Sequence, residues 1–262
     1  MTQITATVVT LNEEDNIRAC LECLDWCDNI VVVDSYSDDR TIEIAREYTN
    51  QIYTFERTGF SEPARKRAHQ EATGDWVFRI DADERVSSHL GKKFRELADQ
   101  GDCDIIYAPR KNYIFGEWMD RGGWWPDYQP VLFRPEMATL SEEIHNYVEF
   151  SEEATPYTLP ESQENAIVHF NYSGISDFIG RLNRYTSIEA DQAEFAYRKL
   201  LLEPVREFGN RYIVKRGYER GLRGFFLSVF MAWYRFLTFA KAYQYETIGR
   251  EEDIEEKYSN IE

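Results

Sequence analysis

The sequence predicts an α/β fold, a mostly parallel sheet with flanking helices, followed by a helical C-terminal extension. Two observations carry that expectation. Over roughly the first 85 residues, short β-branched or apolar runs alternate with helical patterns that open on capping residues or proline. From Ser176 onward the chain reads as helical. A third observation marks the working edge. The apolar run Trp76-Val77-Phe78-Arg79-Ile80 ends abruptly in Asp81-Ala82-Asp83-Glu84, and ligands of open α/β sheets bind outside the carboxyl ends of the strands.

Each element has a local reason. Ile4 to Leu11 is β-branched and apolar, a first strand, and Asn12 caps a helix expected to run to about Cys27. Asn29 to Asp34 is the near-continuous apolar run of a strand buried on both faces. Its polar sequel, Asp34 to Asp39, caps a helix from about Thr41 to Tyr48, and Gln51 to Phe55 gives a third strand. Pro63 opens a helix that Thr73-Gly74 ends before the central strand. Beyond it come a helix from Ser88 to Ala98, with Glu84 expected at its cap, and a strand from Asp104 to Pro109. Asn112 to Arg134 is aromatic and glycine-bearing, in loops and short antiparallel strands. Leu140 to Phe150 is a short polar passage, and Ala166 to Phe170 is an apolar strand carrying His169. Helices are expected over Ser176 to Leu202, from near Pro204 at a first turn, and over Leu222 to Tyr245. The expected division is a catalytic domain over residues 1–174 and a helical region over 175–262, associated with a membrane or a second copy.

The chain has 262 residues, 43% of them hydrophobic and 15% aromatic, which suits a globular protein with a real core. A formal charge of −17 argues against nucleic acid as a partner. The charge is uneven, since Arg198 to Lys241 holds ten basic residues against three acidic ones. In that segment Phe225 to Leu237 is too short and interrupted to span a bilayer. With the arginines before it, the segment reads equally as an interfacial element for an anionic membrane surface, a core helix or a homodimer contact. Met1-Thr2-Gln3-Ile4 has no basic region ahead of an apolar one, so a cytoplasmic location is expected, peripheral to the membrane if the basic segment docks there. Cys20, Cys23 and Cys27 share a helix face and lack a fourth partner at zinc-finger spacing, so buried thiols are expected. His69 and His89 read as helix-surface residues.

Asp81 and Asp83 are expected to share a face while the extended geometry lasts. Two hard oxygen donors at a strand end suit Mg²⁺ or Mn²⁺ held jointly with substrate phosphates; the competing reading is an acidic turn. No G-x-G-x-x-G follows the first strand and no G-x-x-x-x-G-K-[ST] occurs, which removes the main support for dinucleotide and P-loop readings.

Thr10-Leu11-Asn12-Glu13-Glu14, Val32-Val33-Asp34-Ser35, Arg65 within Ala64-Arg65-Lys66-Arg67, Ala72-Thr73-Gly74-Asp75-Trp76 and Asp81-Ala82-Asp83-Glu84 follow one another in this order. The ordered set resembles family 2 glycosyltransferases of the GT-A fold. Trp125-Pro126-Asp127-Tyr128-Gln129, Leu132-Phe133-Arg134, His145, His169 and Asn183-Arg184-Tyr185-Thr186 resemble the bacterial lipopolysaccharide-core glucosyltransferase branch. The resemblance implies an inverting transferase that moves a sugar from a nucleotide-diphosphate donor, preferably a UDP-sugar. The acceptor would be a glycan or lipid-linked saccharide, with Mn²⁺ or Mg²⁺ as cofactor. It assigns the nucleoside pocket to Leu11, Asn12 and Glu14, and the base contact to Asp34. Arg65 would reach the nucleotide or diphosphate, Asp81 ribose or metal-bound water, and Asp83 the metal. His169 or His145 would complete the metal shell. Inversion needs one general base; Asp127 is the first candidate and Glu143 its rival. Trp124 and Trp125 would stack on sugar, or merely pack, with His145 also placed toward the acceptor.

Two other classes compete. A nucleotidyltransferase-like enzyme needs a glycine-rich, lysine-bearing loop that Leu11-Asn12-Glu13-Glu14 does not supply. A non-catalytic sugar-binding protein would keep the aromatics but not require Asp81 and Asp83.

Overall fold

A computed structural model describes residues 2–140, 148–250, 253–254 and 258–259. Glu143 and His145 lie outside the described residues. The chain forms two compact units, Met1–Tyr113 with Pro126–Asn171, and Ile114–Trp125 with Tyr172–Glu262. The second unit is thus discontinuous in sequence, taking residues 114–125 as well as those from Tyr172 onward.

In the first unit, β1 (Ile4–Thr10), α1 (Ile17–Glu22), β2 (Asn29–Asp34), α2 (Thr41–Ala45), β3 (Ile52–Thr54), α3 (Glu62–Glu71) and β4 (Trp76–Asp81) follow in order. Next come β5 (Glu84–Arg85), α4 (Ser88–Gln100) and β6 (Ile105–Ile114), whose last residue falls in the second unit. The strands pair in the order β3-β2-β1-β4, all parallel. The short β7 (Glu117–Trp118) belongs to the second unit. Back in the first, β8 (Asp127–Phe133) runs antiparallel to both β4 and β6. The hairpin of β9 (Ala138–Leu140) and β10 (Val148–Phe150) and the strand β11 (Pro156–Thr158), parallel to β6, come next. Finally β12 (Ile167–Tyr172) pairs antiparallel with β5, setting His169 opposite Glu84.

Strand alternation sorts the two faces of the sheet. Ile4, Ala6, Val8, Trp76, Phe78 and Ile80 enter the main core with Leu90 and Phe94 of α4. Val31 and Val33 pack on Ala64 and Ala68 of α3. Arg79 and Asp81 alternate with the core residues of β4, so they face α3, which supplies Arg65. Cys20, Cys23, Cys27 and Cys103 are free, and burial pushes the first three thiols up.

Several expectations need correcting. Asn12 does not cap a helix. It sits in left-handed backbone (φ 56°) with its Oδ1 accepting from Asp38 N at 2.9 Å, and α1 starts only at Ile17. Extended geometry stops at Asp81, since Ala82 and Asp83 form a turn, so the two aspartates reach different partners. Glu84 does not cap α4; Ser87 does, accepting from Leu90 N at 3.1 Å. His69 lies against the Phe133 ring (centroids 5.8 Å apart), and burial lowers its pKa.

The second unit continues with α5 (Ile175–Gln192), α6 (Tyr197–Gly209) and α7 (Gly221–Thr247). The helix expected to reach Leu202 breaks after Gln192, where Phe195 packs on Tyr197 and Tyr243 and its N–H donates to Glu246 Oε1 at 2.9 Å. Tertiary contact overrides propensity there. Pro204 lies inside α6 rather than opening it. The Asn183-Arg184-Tyr185-Thr186 motif grips Lys241 of α7, whose Nζ reaches Asn183 O at 2.7 Å and Thr186 Oγ1 at 2.9 Å.

Gly91 of α4 gives the packing a direct test. A Cβ there would lie 2.5 Å from the Trp26 ring, which packs on Phe78 and Phe94. Gly91→Ala gains about 1 kcal/mol of helix propensity, but overpacking costs about 1–3 kcal/mol. Chemical denaturation should show a net loss of stability, and a more stable variant would contradict this packing.

Candidate active site

The loops after β1 and β2 are stitched together at the carboxyl edge of the sheet. Asn12 N donates to Ser37 Oγ at 2.8 Å, Glu14 N to Asp39 Oδ2 at 3.0 Å, and Arg40 N to Glu14 Oε2 at 3.2 Å. Asp34, wholly buried, accepts from Ser37 N at 2.8 Å and from Ser37 Oγ at 2.5 Å. Its carboxylate thus braces the loop, and a further donor must use its remaining lone pairs. Leu11 and Tyr36, 41% and 58% exposed, offer apolar surface on the same two loops.

At the end of β4, Arg65 Nη2 donates to both Asp81 oxygens at 2.8 Å. Burial opposes charge on Asp81, but Arg65 and Arg79 outweigh it and hold the carboxyl far below its usual range. Burial and repulsion from Arg65 push Arg79 down to about 10. Glu84 Oε2 accepts from Asp81 N at 3.0 Å, and its Oε1 lies 3.5 Å from Arg110 Nη1. Burial, then the charge of Asp81, raises the Glu84 pKa.

Cross-strand register assembles the next cluster. Arg110 lies opposite Asp127; its Nε and Nη2 sit 2.8 and 2.7 Å from Asp127 Oδ2. Asn112 Nδ2 donates to that oxygen at 3.1 Å, and Gln129 Nε2 to Oδ1 at 2.9 Å. Burial works against the charge on Asp127, yet Arg110 and the two amides hold its pKa below the usual value.

The β5–β12 ladder brings His169 to Asp83. Phe170 N donates to Asp83 O at 2.9 Å, and His169 Nε2 lies 3.5 Å from Asp83 Oδ2, the side chains being 8% and 13% exposed. An imidazole lone pair and a carboxylate oxygen at that distance repel unless a proton or a cation sits between them. Cis ligands of an octahedral cation lie about 3 Å apart, so this oxygen and nitrogen suit a divalent ion completed by ligand oxygens. Among the described residues, no group of three or more His, Cys, Asp or Glu side chains is placed to hold a metal by itself.

The structure therefore brings Arg65, Asp81, Asp83, Asp127 and His169 into a connected polar region of the first unit, and Leu11, Asn12, Glu14 and Asp34 into two joined loops. Trp124 and Trp125 belong to the second unit and have aromatic neighbours. Trp124 lies against Tyr172 and beneath Arg211 (ring centroid 5.1 Å from the guanidinium carbon), and Trp125 against Trp118. Sequence reasoning missed Arg110 and Asn112 because it ended their strand at Pro109. The usable signal was alternation, Arg110 and Asn112 on one strand facing Asp127 and Gln129 on the next.

Known proteins resemble this chain over nearly its whole length. Lipopolysaccharide core biosynthesis glycosyltransferase LpsC of Rhizobium meliloti is 26% identical, over 98% of this chain and 98% of that one. An uncharacterized glycosyltransferase, RT0209 of Rickettsia typhi, is 24% identical over 99% of this chain and 93% of its own length. Mannosyltransferase PcManGT from Pyrobaculum calidifontis, solved in complex with GDP-Man and Mn²⁺, shares the fold with a TM-score of 0.56 at 15% identity, covering 92% of this chain and 87% of that one. The family model for glycosyl transferase family 2 matches residues 5–151, from the first residues of β1 through β10. A match over more than half the chain, reaching every strand end that carries the cluster except that of β12, makes this glycosyltransferase a member of glycosyl transferase family 2.

Proposed function

We propose that the chain is an inverting, metal-dependent transferase that moves a sugar, a hexose by preference, from a UDP-sugar to a glycan or lipid-linked saccharide. The catalytic work is assigned to the first unit. The observation that carries this reading is the Asp83–His169 pair, 3.5 Å apart beside the Arg65–Asp81 ion pair at the end of the central strand. Asp83 and His169 would hold Mn²⁺ or Mg²⁺. When bound there, the cation offsets the charge that builds on the leaving diphosphate. Arg65 keeps Asp81 ionised and oriented for ribose or for metal-bound water, while Leu11, Asn12, Glu14 and Asp34 form the nucleoside side.

Asp127 takes the proton from the acceptor hydroxyl as that oxygen attacks the anomeric carbon from the face opposite the leaving group. Its clamp makes it a weak base. A weak base suits proton transfer late in the displacement, when the hydroxyl has already been acidified by bonding to the electron-poor carbon. Glu143 is the alternative base.

For the second unit we propose peripheral docking on an anionic membrane surface at the cytoplasmic face. Leu201, Val205, Ile213, Val214 and Leu222 are each more than 60% exposed, in the segment richest in arginine. Among the described residues no helix is long and apolar enough to cross a membrane.

Four measurements test these assignments. Calorimetric titration should show Mn²⁺ strengthening UDP binding in the native protein and losing that effect in Asp83→Ala; metal-indifferent UDP binding in both would defeat the metal reading. Asp127→Asn should lower kcat by about 10²–10⁴-fold with donor binding retained. The Asp127 pKa is depressed, so its base form is complete at neutral pH and is lost only as pH falls through that lowered value. An acid limb of kcat/KM above about pH 5 lies well over the ordinary aspartate value and would point to Glu143. Vesicles containing phosphatidylserine should co-sediment the protein reversibly with salt; a protein that ignores them has no such docking surface.

A further inference from the structure

Asn112 lies on β6 with 1% exposure, between two residues given separate tasks above. Its Nδ2 donates to Asp127 Oδ2 at 3.1 Å, and its Oδ1 lies 2.7 Å from His169 Nδ1. The chemistry of the neighbours fixes which way the amide points. The Asp127 carboxylate, kept ionised by Arg110, only accepts hydrogen bonds, so the NH₂ group must face it. The carbonyl oxygen then faces His169, and Asn171 Nδ2 approaches the same oxygen at 3.5 Å. A contact of 2.7 Å between that oxygen and Nδ1 is a hydrogen bond only if Nδ1 carries the proton. A neutral imidazole protonated at Nδ1 has its lone pair on Nε2, the atom that looks toward Asp83.

We propose that Asn112 is a positioning residue: Asp127 orients its amide, and the amide holds His169 in the Nδ1–H tautomer, presenting the Nε2 lone pair toward Asp83 as a ligand for a divalent cation. This rests on the metal reading above and adds that the cation site and the base are joined through one buried amide. A residue that merely filled space between β6 and β12 would be indifferent to which nitrogen carries the proton.

Nitrogen–proton correlation spectra of the metal-free, full-length protein, recorded at alkaline pH, report the tautomer directly. His169→Gln identifies the signal by its loss. Wild type should show Nδ1–H. Asn112→Leu removes the acceptor, so His169 should revert to Nε2–H, the form favoured in water. Its Mn²⁺ affinity, measured calorimetrically with UDP present, should fall about 10-fold or more. Asn112→Asp keeps an acceptor toward His169 and should keep both the tautomer and the affinity, while kcat falls because a carboxylate replaces a donor to Asp127. An Nε2–H His169 in wild type would overturn the proposal, as would Asn112→Leu retaining the tautomer and the affinity. If Asn112→Leu does not fold, the wild-type and Asn112→Asp spectra decide alone. An Nδ1–H ring in a wild-type protein that binds no Mn²⁺ with UDP removes the ligand role and the metal reading together, leaving the hydrogen bond itself established.

Discussion

The rest of the first unit depends on the need to neutralise charge that the sheet has buried. Arg65 of α3 and Arg79 and Arg110 of the strands are buried among Asp81, Glu84 and Asp127, so that basic groups are set against acidic ones. An isolated charge at such a place costs several kcal/mol, so each member constrains the position of another. Glu84 is the joint, since one oxygen holds the backbone of Asp81 and the other faces Arg110. A shift of register in β8 would strand Arg110, and a rotation of α3 would strand Asp81. Folding and site assembly are thus one requirement. Fixed charges of this kind are also what a phosphate-bearing ligand meets without reorganisation.

How much of this was legible in the sequence depends on range. Strands β1, β2 and β4 could be read because each is a local pattern of apolar residues, alternating or continuous, and β2 and β4 end in a carboxylate. The β-α-β rhythm then placed Asp34 and Asp81 at one edge. What was lost depended on partners far along the chain. Alternation in Arg110 and Asn112 means little until β8 lies beside them, and an early strand end hid it. Asn12 looked like a helix cap because its type suits one, but its backbone is left-handed and its side chain ties two loops instead. Pro204 looked like a helix start for the same kind of reason, while α6 had begun seven residues earlier at Tyr197. The break at residues 193–196 belongs to Phe195 finding Tyr243, which no local window contains.

The second unit has a different economy. Its own core is small, with Ile114, Met119, Phe178, Leu182 and Leu227 fully buried, and much of the apolar content of α6 and of the start of α7 stays at the surface. Specific polar contacts hold the helices in place of a large core. The Lys241 ammonium gathers four oxygens of α5, and Tyr234 Oη donates to Glu189 at 2.6 Å. Such contacts set helix register without covering the outer apolar face.

The two-residue ladder between β5 and β12 has a consequence for the protein's birth. Chains emerge from the ribosome amino end first, and domains begin to fold as they appear. The joined loops after β1 and β2, and the carboxylates at the end of β4, are all made within the first third of the chain. His169 arrives 57 residues after Asn112, the side chain that receives it. A nascent chain thus completes the carboxyl edge of its first strands well before the histidine exists. The assembly order of the first unit is written in its strand order, and the polar cluster that joins Asn112 to His169 is the last part of that unit to close.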